Sequence, residues 1–184
     1  MSRILLVIDL QRQFKDDNGQ YEKCLKYISE YKDKYDRIVG TLFRNTNDSM
    51  YEKKLDYGDC KKTSILDLDY RCYDEILIKN GYITNIDSLV SRMKDCVIDI
   101  IGCDADACVL ATVFSLWDKG YNFNILTDYI YTTSKDIDKE DILRIMKRNF
   151  GKCVKWLSKN IIFFLKKLFT NDIYFDIIIS VNKS

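Results

Sequence analysis

"CVIDIIGCDADACVLATVFSLWDKGYNFNILTD", residues 96–128, decides the fold. Its first part, CVIDIIG (96–102), is a short, nearly continuous apolar run, the pattern of a strand buried on both faces. A glycine and a short polar turn follow. Residues 106–119 then place Val109, Val113, Leu116 and Trp117 on one helical face, and Gly120 is a suitable C-terminal stop. YNFNILTD (121–128) returns as a strand with partial alternation. Strand, tight turn, helix, strand is the unit of a parallel sheet.

The same alternation extends in both directions. RILLVID (3–9) predicts a strand, YEKCLKYISEYKDKY (21–35) a helix, and RIVGTLF (37–43) a second strand. Residues 44–72 are polar, irregular and rich in Tyr and Asp, and predict a long functional loop with one helical turn. DEILIK (74–79) predicts a third strand and NIDSLVSRMK (85–94) a helix capped by Asn85 or Asp87. After residue 128, KEDILRIMKRNF (139–150) predicts a helix and KCVKW (152–156) a sixth strand. The expected fold is α/β: a three-layer α/β/α domain over residues 1–156, with a mainly parallel sheet of five to six strands. The stretch 157–184 is a C-terminal extension. WLSKNIIFFLKKLF (156–169) has the pattern of an amphipathic helix, and DIYFDIIISV (172–181) looks strand-like.

Composition excludes several classes. Lys and Arg number 29 against 28 for Asp and Glu, so the chain lacks the basic excess of a nucleic-acid binder. No run reaches the ~20 apolar residues of a membrane span, and no membrane partner is expected. The seven cysteines are odd in number, and none are spaced C-x-x-C. With no histidine anywhere, neither a disulfide framework nor a zinc site is expected, and a reduced, cytoplasmic protein is.

Ligands of open α/β sheets bind at the carboxyl ends of the strands. Asp9 ends strand one, Lys79 ends strand three, and Cys108 follows strand four in the first turn of its helix. A lone cysteine most often packs as a small hydrophobe. One at a helix N-terminus instead gains from the dipole and the unpaired N–H groups, and a nearby ammonium lowers its pKa further. A carboxylate can take the thiol proton and return it later. The expectation is therefore a charged sulfur activated without imidazole.

LLVIDLQRQF, ILIKNGY and GCDADACVLATVFSLWDKGYNFNILTD resemble the isochorismatase-like cysteine hydrolases, a superfamily that includes the nicotinamidases. The most specific part is D-x-C-V-x-x-T before a helix ending in D-x-G. The resemblance implies that Cys108 is the nucleophile, Asp9 the general base and acid, and Lys79 the supporting cation. It implies a sheet in which the lysine strand lies two positions from the first, so that the lysine must reach across. It also implies a cis peptide from Cys103 to Asp104, and an oxyanion site at the N–H groups of Asp104 and Cys108. Phe14, Gln11 and Tyr82 are the implied pocket residues. Cys103 itself reads as structural.

Two departures stand out. Ala105 occupies a position where the family usually has Thr. Phe43 and Asn45 stand where nicotinamidases carry an Asp and a His for their metal, so no metal and no cofactor is expected. The implied activity is hydrolysis of a small amide or related C–N bond through a thioester. Cleavage of a vinyl ether such as isochorismate, or non-catalytic binding of a metabolite, are the alternatives. A small-molecule substrate is the expected partner, and the family's habit of assembling implies a homo-oligomer.

Overall fold

The computed structural model describes residues 1–91 and 95–156. The expected tail helix and strand, at 157–184, lie outside the described residues. Six parallel strands, β1 (Arg3–Ile8), β2 (Arg37–Phe43), β3 (Glu75–Lys79), β4 (Val97–Gly102), β5 (Phe123–Ile130) and β6 (Val154–Lys155), form one sheet in the order β3-β2-β1-β4-β5-β6. Helix α1 (Gln20–Tyr31) covers one face. The other is covered by α3 (Asp87–Val90), α4 (Cys108–Asp118) and α5 (Lys139–Phe150). Alternate residues of β1 serve the two layers: Leu5 and Val7 pack with α1, and Ile4, Leu6 and Ile8 with α4 and α5. Burial on both faces is why β1 reads as a continuous apolar run.

Helices α1 and α5 each have a local reason to start. The Asp16 carboxylate accepts the N–H groups of Gln20 and Tyr21, which would otherwise lack partners at the start of α1. Asp138 caps α5 through the Glu140 N–H. Ile142, Leu143, Met146 and Phe150 of α5 form its buried stripe, and Gly151 at φ 52° ends it. The long segment between β2 and β3 contains the anticipated helical turn as α2 (Met50–Leu55), capped by Ser49.

Three expectations shift. The buried stripe of α4 is Val109, Thr112, Val113 and Leu116, whereas Trp117 is 49% exposed. At 100° per residue Trp117 falls at the edge of that stripe, where its ring meets the edges of Phe123 and Phe150. Strand β5 runs to Ile130, beyond the expected 128, because it is held by tertiary partners: the Tyr131 N–H donates to the Gly102 carbonyl, and the Tyr131 carbonyl accepts from Ala105. Of the helix expected over 85–94, α3 accounts for Asp87–Val90, with Asn85 Oδ1 accepting the Asp87 N–H. Residues 92–94 lie outside the described ones.

Gly102 closes β4 at φ 115°, and a Cβ there would lie 2.0 Å from the Ile8 carbonyl oxygen. Both conformation and space demand glycine. Gly102→Ala is expected to cost roughly 3 kcal/mol or more, read as a lower urea midpoint. A midpoint unchanged from wild type would contradict the close approach of β1 and β4.

Candidate active site

Strand order reverses between β1 and β4, because the chain crosses from the β3 edge to the far side of β1. A crevice at the carboxyl end of such a switch point is where open α/β sheets place ligands. Asp9 follows β1, and the turn 103–107 follows β4, so both flank it.

Asp9 is fully buried and adopts φ 46°, a left-handed conformation that Asp tolerates better than most residues. Thr41 of β2 clamps it from both sides. Its Oγ1 accepts the Asp9 N–H at 2.9 Å and donates to Asp9 Oδ1 at 2.6 Å. The other carboxylate oxygen, Oδ2, lies 2.7 Å from Lys79 Nζ.

Lys79 ends the edge strand β3, two strands from β1 as expected, and its stem does reach across. On this strand the pattern inverts: Ile78 points to solvent and Lys79 is buried. Besides Asp9, the ammonium donates to Gly81 O at 2.9 Å, Tyr82 O at 3.3 Å and Cys108 Sγ at 3.1 Å. The Phe43 ring centroid lies 5.3 Å away, close enough for a cation–π contact. Burial works against the ammonium, but Asp9 and Cys108 outweigh it, and its pKa is raised.

Cys108 is the first residue of α4, so its N–H is one of those a helix leaves unpaired. The peptide bond between Cys103 and Asp104 is cis. The turn closes when the Asp104 carbonyl accepts from the N–H groups of Ala107 and Val109. The Asp104 carboxylate accepts from the Thr133 N–H at 2.6 Å and its hydroxyl at 3.0 Å. Asp106 accepts from the Thr132 hydroxyl. Ala105 sits fully buried in the core beneath the turn, and its N–H donates to Tyr131 O at 2.8 Å. Cys103 is sealed in the opposite core, and burial pushes its thiol well up, as befits a structural cysteine.

The surroundings of the sulfur oppose the charge expected of it. Burial is the largest influence on Cys108 and pushes its thiol up; the Asp9 carboxylate pushes the same way, and Lys79 pulls down. The result is a thiol pushed up to about 12. Burial and the Asp9 carboxylate together favour a neutral thiol beside the buried Asp9–Lys79 pair, against the preformed thiolate that helix end and ammonium suggested.

A cleft of about 350 Å³ opens above Cys108, lined among others by Phe14, Phe43, Tyr51, Tyr57, Tyr82 and Asp104. Phe14 and Tyr82, named as pocket residues by the resemblance, line this cleft. Gln11 does not: it is fully buried behind the wall, its side chain paired with the backbone N–H and C=O of Phe43 at 2.9 and 3.3 Å. It fixes the end of β2 and does not line the cleft. Its neighbour Gln13 does.

Phe43 and Asn45 have other duties than metal binding. Phe43 covers Lys79, and Asn45 donates to Tyr57 O at 3.0 Å, tying the 44–60 segment together. Among the described residues no three His, Cys, Asp or Glu side chains are grouped to hold a metal ion.

The family model of the isochorismatase domain matches residues 3–157. The chain belongs to the isochorismatase family. This is a family of hydrolases acting on small molecules. Solved isochorismatase-like structures carry the same fold. A nicotinamidase from Bacillus subtilis superposes with a TM-score of 0.66 at 18% identity, covering 85% of this chain and 100% of that one. An isochorismatase-like hydrolase from Alkaliphilus metalliredigens gives 0.66 at 16% identity, covering 88% and 98%. N-carbamoylsarcosine amidase from Thermoplasma acidophilum gives 0.61 at 18%, covering 82% and 94%. No curated protein matches the chain by sequence.

Three threonines in this isochorismatase domain were assigned no role by the sequence. Thr41 holds Asp9. Thr133 holds Asp104. Thr112, the last residue of the D-x-C-V-x-x-T motif, accepts the Thr84 N–H at 3.2 Å and so ties the loop after Lys79 to α4. The signal for Thr41 is a polar residue inside the otherwise apolar RIVGTLF, since a fully buried hydroxyl requires a partner.

Proposed function

We propose that the protein is a cysteine amidohydrolase that cleaves a small amide or related C–N bond through a thioester on Cys108. The observation that carries this reading is one ammonium within 2.7 Å of a carboxylate and 3.1 Å of a thiol, at the floor of an open cleft. As Sγ attacks the carbonyl carbon, its proton passes to Asp9 and the S–C bond forms. The N–H groups of Asp104 and Cys108 receive the oxyanion, in keeping with the place of Cys108 in the first turn of α4. Collapse breaks the C–N bond, and the proton on Asp9 goes to the leaving nitrogen. Water, deprotonated by Asp9, then attacks the thioester, and the C–S bond breaks to restore the thiol. Lys79 remains positive throughout and holds Asp9 and the sulfur in register.

This reading is preferred to vinyl-ether cleavage of isochorismate. That substrate carries two carboxylates, and among the described residues no Lys or Arg lies at the cleft beyond Lys79, which Asp9 already compensates. It is preferred to passive binding because a buried ion pair in contact with a thiol is costly to keep for packing alone. Denaturing quench during turnover of a small amide, followed by mass spectrometry, should find the acyl group on the peptide containing Cys108. Turnover without any acyl adduct under rapid quench would count against the mechanism.

A further inference from the structure

The cleft has a marked chemical bias. Four aromatic rings form a continuous row along it. Phe43 meets Tyr51 edge-on with centroids 5.1 Å apart, Tyr51 meets Tyr82 likewise at 5.0 Å, and Phe14 lies 6.4 Å from Phe43. Two carboxylates, Asp59 and Asp104, line the same cleft, and the charges of both reach the Tyr57 phenol. The phenols of Tyr51, Tyr57 and Tyr82 are held neutral, with burial the largest cause in each case. Below them the Lys79 ammonium is already compensated by Asp9 at 2.7 Å. Formal charge in the cleft is therefore negative, and neutral aromatic surface surrounds it.

Aromatic faces attract cations through the ring quadrupole, more strongly where water is excluded. Carboxylates in a low-dielectric cleft add to that attraction and repel anions. The geometry points to a small amide bearing a permanent positive charge close to its carbonyl, a quaternary ammonium acetamide for example, as the substrate class of this cleft. The inference rests on the amide-hydrolase reading for its chemistry and on the lining residues for its specificity. The cation sits against the aromatic row and Asp59, and the carbonyl carbon faces Cys108 Sγ.

A matched set of probes tests it. Betaine amide and 3,3-dimethylbutanamide have the same shape and differ by a quaternary nitrogen in place of carbon. Succinamic acid supplies an anion of similar size. The cation is expected to exceed its neutral isostere in kcat/KM by about tenfold or more, with the anion slowest. The ratio of cation to isostere should fall at high salt and fall severalfold in Asp59→Asn. Equal rates for the isosteric pair, or a faster anion, would overturn the inference while leaving the thioester mechanism standing. Should none of the three be hydrolysed, calorimetric titration of the Cys108→Ala protein with the same pair decides the matter. Tighter binding of betaine amide supports the specificity even if no acyl-enzyme is found, and equal or weaker binding refutes it.

Discussion

Replacing Cys108 by Ala should reduce amide turnover by about 10⁴-fold or more while leaving the protein folded. Cys108 is the one cysteine lining the cleft among the described residues; Cys103 is sealed in the opposite core and Cys60 belongs to the loop network around Gln11 and Tyr57. The fold should survive because the change removes one sulfur atom from a residue already 8% exposed at the cleft floor. The Asp9–Lys79 pair at 2.7 Å does not depend on it, nor do the Lys79 bonds to Gly81 O and Tyr82 O. A loss of about 1 kcal/mol, a melting shift of roughly 2–4 °C, is the scale expected. Steady-state kinetics alongside thermal melts measure both. A folded Cys108→Ala protein with wild-type turnover would end the nucleophile assignment and return vinyl-ether chemistry, which needs no thiol, to the front.

Asp9→Asn should separate two properties that usually move together: catalysis should collapse while the thiol becomes more reactive. Burial and the Asp9 charge both raise the Cys108 pKa, and only Lys79 lowers it. Removing the carboxylate leaves the ammonium 3.1 Å from sulfur with no competing anion, so the thiolate gains ground. Each pKa unit lowered multiplies the thiolate fraction tenfold, and iodoacetamide labelling at neutral pH should rise by at least about that factor. Turnover should nonetheless fall by about 10³-fold, because nothing remains to take the thiol proton in step with attack or to protonate the leaving nitrogen. In the unaltered protein, labelling should be slow at neutral pH and climb steadily with alkalinity, since burial and the Asp9 carboxylate push the thiol up. Slow labelling is thus no mark of an inert binding protein here. A variant that labels more slowly than wild type, or keeps its turnover, would show that Asp9 does not act on the sulfur.

Residues 3–8, 37–43 and 97–102 are legible as strands because they are sandwiched between helical layers and need apolar side chains on both faces. The end of β5 was less so, since partners across the Gly102 turn, not hydropathy, carry it to Ile130. Trp117 was misplaced because a large apolar ring at the margin of a helical stripe can lie over its neighbours' edges without being buried. Motif positions named Phe14, Tyr82 and Gln11 alike, but only the first two line the cleft. Two residues away from a cleft residue, a side chain can point into the wall and pair with backbone, as Gln11 does with Phe43.

By itself the sequence determined the layered α/β architecture and which three side chains follow strands on the carboxyl side of the sheet. Periodicity and the order of elements are local properties, and they suffice for that. Only the tertiary structure decided the state of the chemistry. Whether the sulfur rests as thiol or thiolate depends on how deeply it is buried and on the balance between a carboxylate and an ammonium drawn from strands 70 residues apart in sequence (Asp9 and Lys79). Desolvation and charge proximity are functions of distance in space, and distance along the chain carries no record of them.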